Sequence, residues 1–142
     1  LLNEMLGALV GASREDAKPG VDCYAFARDT VEGKDSRVVF RVARAFRGRV
    51  PAATARDENG NVHRTDAEDV VVIELVADRF LRKLVRVLVA TAAREAATGA
   101  KPDVLLALAA ARERAATASA APPSGLFFAG VGYGDHPEYD EA

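Results

Sequence analysis

The sequence has no tryptophan, a single cysteine and few aromatic residues of any kind. Its 142 residues are 6% aromatic and 49% hydrophobic, so valine, leucine and alanine must form most of a core. The lone cysteine, Cys23, excludes a disulfide within the chain and fits a reducing compartment, so we expect an intracellular protein. Length and composition are those of one globular domain, residues 1–142, or of half of a larger one.

Long apolar segments are also lacking. No run approaches the length that crosses a bilayer, and no signal peptide is visible, so we expect no membrane partner. The chain opens on Leu1-Leu2 rather than on methionine, and we expect it to be a processed product or part of something longer.

The net charge of −2 argues neither for nor against nucleic acid. Its distribution is uneven, because bases outnumber acids between Arg28 and Arg49 and acids end the chain. The bases there are Arg28, Lys34, Arg37, Arg41, Arg44, Arg47 and Arg49, and the terminal acids are Asp135, Glu138, Asp140 and Glu141. This pattern predicts a basic face beside an acidic tail, or else scattered solvated arginines.

Hydrophobic spacing predicts the order helix, strand, strand, helix, helix, strand. We expect the first helix to stop at Gly11, later helices over 80–98 and 103–117, and a final strand in "GLFFAGVGY". "SRVVFRVARAFRGRV" alternates as a strand, and "EDVVVIELVAD" is apolar on both faces, which is typical of a covered strand. Asn59-Gly60 indicates a turn between these two strands, with "RGRVPAATA" as an irregular edge. The fold class is α+β, an antiparallel or mixed sheet with helices packed on one face.

Arg86 is the residue that most needs an explanation. In "LVRVLVATAA" its neighbours are apolar or small on all sides, which predicts a buried helix. A buried guanidinium keeps its proton and needs a carboxylate or phosphate, and no acid lies three or four residues away. The counter-ion must come from elsewhere, unless the side chain extends to the surface along its aliphatic stem.

Other candidate groups are weaker. Asp66 lies in the polar stretch "RTDAED", which indicates a solvated turn, and His63 with the nearby acids gives no fixed metal geometry. Cys23 has no histidine close in the sequence to act as its base, so a thiol nucleophile is not predicted. We therefore expect no metal and no cofactor.

The second half of the chain resembles a known family. "RFLRKLVRVLVATAAREAATGAKPDVLLALAAARERAATASAAPPSGLFFAGVGY" is similar to the C-terminal half of tRNA pseudouridine synthases of the TruA type, whose motifs are "FL..MVR..VG", "G.G...P..V" and "APP.GL.L..V.Y". Phe80-Leu81 and Val85-Arg86 match the first motif, Gly99 and Pro102 the second, and Arg114 precedes the third at the expected distance. Upstream, "LLNEMLGALVGASREDAKPGVDCYAFAR" resembles the "MN.A...L.G.HDF.AF" segment of the family.

This resemblance implies a fold and a chemistry. The family isomerises uridine in RNA by breaking and re-forming the glycosidic bond without an external cofactor. Its helix arginine pairs with a catalytic aspartate, and a leucine packs near the target base; Arg86 and Leu126 occupy these two positions. The aspartate lies in an "RTD.GVHA" loop of the N-terminal half, and Asp66 does not fill that place, because Gly-Val-His does not follow it.

Two functions follow as hypotheses. The first is the C-terminal subdomain of an RNA pseudouridine synthase, with tRNA as the expected substrate and a missing N-terminal half or partner chain supplying the aspartate. The second is an inactive RNA-binding or scaffold subunit of a ribonucleoprotein. We expect this chain alone to be inactive, a homodimer to be an open possibility, and RNA contacts at Arg41, Arg44, Arg82 and Lys83.

Overall fold

The computed structural model describes residues 1–15, 17–31 and 33–133. Within these residues the chain is an α+β fold with three α-helices and six strands, and every strand pair is antiparallel. The helices are α1 (Leu2–Ser13), α2 (Leu84–Ala97) and α3 (Val104–Ala111). The strands are β1 (Val21–Asp22), β2 (Arg37–Val38), β3 (Phe40–Val50), β4 (Ala53–Arg56), β5 (Val62–Thr65) and β6 (Glu68–Ala77).

The core lies where the three helices meet the start of β3 and a short 3₁₀ turn, Tyr24–Phe26. Phe26 is fully buried there. The other buried side chains of this core cluster are Met5, Leu6, Leu9, Val21, Cys23, Val38, Phe40, Ala43, Leu84, Val87, Leu88, Ala92, Leu105 and Ala109. Aliphatic side chains therefore supply most of the core, as the composition requires.

Strands β3 and β6 form a long antiparallel pair with a bulge near the start of β3. The register passes from Phe40 opposite Ala77 directly to Val42 opposite Val76, so Arg41 is the extra residue. Before the bulge Phe40 points to the core, and after it Ala43 does. The simple alternation expected from the sequence therefore breaks at Arg41.

The two faces of this strand pair differ. Ala45, Ile73 and Leu75 pack against the core. The opposite face, called the uncovered face below, carries apolar side chains that neither belong to the core nor pack against it: Val42, Phe46, Val50, Val70, Val72 and Val76. The helices thus pack on one face of the sheet, as predicted, but the expectation that β6 is covered on both faces is wrong in this chain.

Beyond β3 and β6, strands β4 and β5 form an exposed hairpin. Its turn includes Asn59-Gly60, as predicted, with Gly60 at a φ of +81° that favours glycine. The turn joins β4 to β5 rather than β3 to β6, however. The stretch expected to be irregular, "RGRVPAATA", instead completes β3 and contributes to β4.

The element boundaries correct several other predictions. Helix α1 continues past Gly11 to Ser13, α2 begins at Leu84 rather than Phe80, and α3 ends at Ala111. The predicted strand in "GLFFAGVGY" is wrong within the described part, because residues 126–133 pair with no other strand. The predicted acidic tail lies outside the described residues. None of the helices described is long and apolar enough to cross a membrane.

Candidate functional site

Arg86 lies in the first turn of α2 and is joined to a distant loop by two hydrogen bonds. Its Nε donates to the carbonyl oxygen of Ala121 at 2.6 Å, and the Ala121 N–H donates to the Arg86 carbonyl at 3.1 Å. The first bond fixes the direction of the guanidinium, and the second fixes the loop against the helix. The side chain is therefore held in one orientation rather than left to move on the surface.

The guanidinium still has unused donors. Within residues 1–15, 17–31 and 33–133, no carboxylate lies within ion-pairing distance of Arg86, and its two terminal nitrogens make no hydrogen bond. The helix around it is not buried on all sides, as the sequence predicted: Val85, Val89 and Ala90 are half-buried and Ala93 is exposed. Arg86 is half-buried as well, so solvent offsets part of its desolvation while two donors remain available to an anion.

A second contact holds the same loop one helical turn further along. The hydroxyl of Thr91, which is fully buried, donates to the Val87 carbonyl at 2.7 Å and accepts the Ala118 N–H at 3.0 Å. Residues 118–121 therefore run along α2, attached at both Thr91 and Arg86. Thr91 was not singled out from the sequence, although a threonine within an apolar helical run was a signal for such a contact.

Leu126 follows this attached loop. A 3₁₀ turn, Pro123–Gly125, leads into it, and its N–H donates to the Pro123 carbonyl at 3.1 Å. Its side chain is 49% exposed, and the aromatic residues after it are more exposed still. The loop thus connects the two residues that the family resemblance selects, but Leu126 is not enclosed in a pocket within the described chain.

The four residues proposed for RNA contact divide into two kinds. Arg44 donates to Glu74 at 2.7 Å and Arg82 pairs with Asp29 at 3.3 Å. Arg41 and Lys83 are exposed and have no ion pair among the described residues. In the described part of the chain, no hydrogen bond or ion pair joins Arg41 or Arg44 on β3 to Arg82 or Lys83 before α2.

The predicted basic face is also reduced by bonds to the backbone. Arg37 donates to the carbonyls of Lys18, Pro19 and Gly20, and Arg28 donates to those of Ala25 and Ala27. These guanidiniums hold loops together. The arginines without an ion pair among the described residues that remain on β3 are Arg41, Arg47 and Arg49.

The weaker candidates, Asp66, His63 and Cys23, do not form a functional site. Asp66 is exposed between β5 and β6, and His63 bonds Asp57 at 3.0 Å instead of the acids beside Asp66. Within the described part of the chain, no group of histidine, cysteine or acidic side chains is arranged to hold a metal. Burial raises the pKa of Cys23 to about 12, so its thiol stays protonated and unreactive.

A cluster around Asp22 was not predicted. Burial opposes the charged form of this carboxylate, but hydrogen bonds from Ser36, the Tyr24 N–H and Arg112 hold its pKa below the ordinary value of 3.8. Arg112 and Arg114 both lie over the Tyr24 ring, at 4.4 Å and 4.3 Å from its centre. Arg114 also donates to the Thr30 carbonyl at 3.0 Å, so this cluster ties the end of α3 to the N-terminal loop.

Comparison of the chain with protein-family models, with curated proteins and with solved structures gives no match. The resemblance to pseudouridine synthases therefore rests on the residues themselves.

Proposed function

We propose that this chain is the C-terminal subdomain of an RNA pseudouridine synthase that acts together with a half supplying the catalytic aspartate. The observation that carries the proposal is the orientation of Arg86. Its Nε is bonded to Ala121 while its terminal nitrogens have no carboxylate partner in the described chain. An aspartate from outside this chain can accept both terminal N–H groups side by side.

In this proposal the two residues have distinct roles. Arg86 positions the incoming aspartate and keeps it ionised, because a neighbouring guanidinium favours the charged form of a carboxyl group. Leu126 supplies an apolar surface beside the target base, which a uridine within a stem reaches only after leaving the stack. Its present exposure of 49% agrees with a pocket that needs a second wall.

RNA binding is assigned to the bases that are not already paired. Arg41 on β3 and Lys83 before α2 are exposed and available to phosphates. Arg44 and Arg82 must first release the acidic side chains with which they pair. Phosphate contacts of this kind position an RNA and carry no sequence information. We assign tRNA as the substrate from the family resemblance.

The test uses the natural full-length protein that contains this chain, with bulk tRNA carrying tritium at C5 of uridine. Isomerisation releases that tritium into water. We expect release by the natural protein and a loss of at least about a hundredfold in Arg86→Ala, because an uncompensated positioning defect of a few kcal/mol has that effect. Arg94→Ala is the matched control, since Arg94 lies on the same helix but bonds Glu95 at its exposed end.

Equal release by Arg86→Ala and the natural protein would remove Arg86 from the reaction. Absence of both release and tRNA binding by the natural protein would overturn the proposal.

A second candidate is a non-catalytic RNA-binding or scaffold subunit of a ribonucleoprotein. Arg41, Arg47 and Arg49, which have no ion pair among the described residues, favour it, because they give β3 a series of available phosphate donors without any need for Arg86. It predicts that the natural protein retains tRNA in a gel-shift assay without tritium release. It also predicts that Arg41→Ala weakens binding and Arg86→Ala does not.

A further inference from the structure

Thr91 is a fully buried polar side chain in the middle of α2. Its hydroxyl donates to the Val87 carbonyl at 2.7 Å, which is a common bond for a threonine inside a helix. It also accepts the Ala118 N–H at 3.0 Å, from a segment 27 residues further along the chain. A hydroxyl has one donor and two acceptor positions, so Thr91 attaches that segment without giving up its bond within the helix.

The loop that Thr91 attaches, residues 118–121, is the same loop that orients Arg86. At its start the Ala118 N–H donates to Thr91, and at its end Ala121 exchanges two hydrogen bonds with Arg86. Among the described residues, the two loop residues in between make no hydrogen bond. The direction of the guanidinium therefore depends on where the Ala121 carbonyl lies, and Thr91 holds the other end of the loop.

This loop is too short to absorb a movement at one end. Thr91 lies five positions after Arg86 in α2, which is a rise of about 7.5 Å along the helix axis. The three residues that lead from Ala118 to Ala121 reach at most about 10–11 Å. There is little slack between the two attachment points, so a loop that leaves Thr91 also shifts the carbonyl that Arg86 Nε uses.

Contacts ahead of the loop do not replace the one at Thr91. Arg94 donates to the Ala116 carbonyl at 2.8 Å, and Arg28 donates to the Thr117 hydroxyl at 3.1 Å. Both hold the chain where it arrives at α2, before the loop begins. Loss of Arg94 leaves Thr117 attached to Arg28, so Arg94→Ala serves as a control here as well.

We propose that Thr91 is a positioning residue, whose hydroxyl fixes residues 118–121 against α2 and so sets the direction of the Arg86 guanidinium. This role rests on the proposed function, in which the terminal nitrogens of Arg86 receive the aspartate of the other half. Two parallel N–H···O bonds need a guanidinium plane in a fixed orientation. Without the Ala121 carbonyl in place, Arg86 keeps its charge but loses its alignment.

Two substitutions separate the hydroxyl of Thr91 from the rest of the side chain. Thr91→Val keeps a similar shape and removes the hydroxyl, so the Ala118 N–H loses its acceptor. Thr91→Ser keeps the hydroxyl and removes a methyl group. Thr98→Val is the matched control, because Thr98 follows α2 and its hydroxyl donates to the Glu95 carbonyl at 3.0 Å, away from the loop. Circular dichroism and thermal unfolding show whether each variant folds.

The first measurement follows Arg86 directly, in the natural full-length protein that contains this chain. Hydrogen exchange of the Arg86 Nε–H, measured by NMR and assigned by the loss of its signal in Arg86→Ala, reports the bond to Ala121. We expect exchange at least about tenfold faster in Thr91→Val, and within about twofold of the parent in Thr91→Ser and Thr98→Val. Unchanged exchange in Thr91→Val overturns the proposal.

The second measurement is tritium release from tRNA, with kcat and KM determined separately. Thr91→Val should lose between about tenfold and a hundredfold in kcat, as a misplaced positioning group does. Its KM should stay within about twofold of the parent value, because the bases that contact phosphates do not move. Thr91→Ser should recover kcat to within about threefold of the parent. Equal losses in Thr91→Val and Thr91→Ser overturn the proposal, because the hydroxyl is then not responsible.

A second variant covers the case in which Thr91→Val does not fold. Ala118→Pro removes the same hydrogen bond from the loop side and leaves Thr91 unchanged. Thr117 before it is extended, with a ψ of 161°, as a residue before proline prefers. The expected changes in exchange and in kcat are those of Thr91→Val, and parent-like values for both overturn the proposal.

The two measurements distinguish this proposal from the proposed function. Tritium release that is lost in Arg86→Ala, with Nε–H exchange unchanged in Thr91→Val, keeps the proposed function and overturns the role of Thr91. Faster exchange in Thr91→Val, with no release by the parent protein, overturns the proposed function and leaves the Thr91 hydroxyl as a contact of the fold alone.

Discussion

One half of this molecule is closed and the other is open. The closed half consists of α1, α2, α3 and the start of β3, whose side chains bury one another and whose loops are tied by arginine–carbonyl bonds. The open half consists of the rest of β3, strands β4 to β6 and residues 126–133, where Phe127 and Phe128 are 84% and 83% exposed. Both halves are rich in apolar residues, so hydrophobicity alone does not determine which of them is buried.

The difference shows what an apolar segment needs besides its composition. Phe26 and Phe46 are the same residue type, yet Phe26 is fully buried and Phe46 is 46% exposed. Phe26 lies in a short turn that packs against α2 and α3. Phe46 lies on a sheet face that no helix of the described residues covers. Burial requires a second layer, and this chain supplies that layer to one side of its sheet.

The largest expected effect compares these two phenylalanines. Phe26→Ala removes a fully buried ring and should lower the free energy of unfolding by about 3–5 kcal/mol. Phe46→Ala, on the uncovered face, should cost less than about 1 kcal/mol. Urea unfolding followed by circular dichroism measures both, and costs that are equal would show that the uncovered face is buried in solution.

A smaller effect comes from a tight contact at Gly48 in the open half. A Cβ built on Gly48 would lie 2.7 Å from a methyl carbon of Val72, so the valine covers the glycine on the uncovered face. Gly48→Ala should therefore destabilise the chain by about 1–3 kcal/mol. In the Val72→Ala background the same change should cost much less, and a double-mutant cycle that finds the two changes additive would contradict this contact.

The closed half could largely be predicted from the sequence. Helical spacing located the first helix, because a 3.6-residue period with one apolar face has few alternative structures. Arg86 was singled out because no acid stood near it in the chain. Its bond to Ala121 could not be predicted, since it joins residues 35 positions apart.

The open half was predicted less well, for a physical reason. The pattern in β6 is that of a strand covered on both faces, and "GLFFAGVGY" was predicted as a strand. The sequence cannot say whether the covering layer or the pairing strand lies in the same chain. The bulge at Arg41 shifted the alternation of β3 for a similar reason, because one extra residue is invisible in a pattern of period two. The Asp22 cluster was missed because its members come from three distant segments.

The Asp22 cluster gives the closed half a dependence on pH. Although burial opposes ionisation, hydrogen bonds from Ser36, Tyr24 and Arg112 lower the pKa of Asp22 in the folded state. A carboxyl group whose pKa is depressed by folding stabilises the fold above its unfolded pKa, and that stability is lost as the pH falls through the folded pKa. Stability should therefore decline as the pH drops below about 4.

Asp22→Asn should cost on the order of 1 kcal/mol at neutral pH and should flatten that decline. Thermal unfolding of both proteins between pH 7 and pH 2 measures the effect. If the variant lost stability at low pH to the same extent as the parent chain, other carboxylates would be responsible for that loss.

The smallest expected effect lies at the centre of the open half, in the pair Arg44–Glu74. Its atoms approach to 2.7 Å and Arg44 also lies 5.7 Å from the Phe46 ring, but the Arg44 side chain is 63% exposed. Exposed pairs are screened by water and salt, so a double-mutant cycle of Arg44→Ala and Glu74→Ala should give a coupling below about 1 kcal/mol, reduced further in high salt. A larger, salt-independent coupling would place this pair beneath a covering layer and would make the uncovered face an interface in solution.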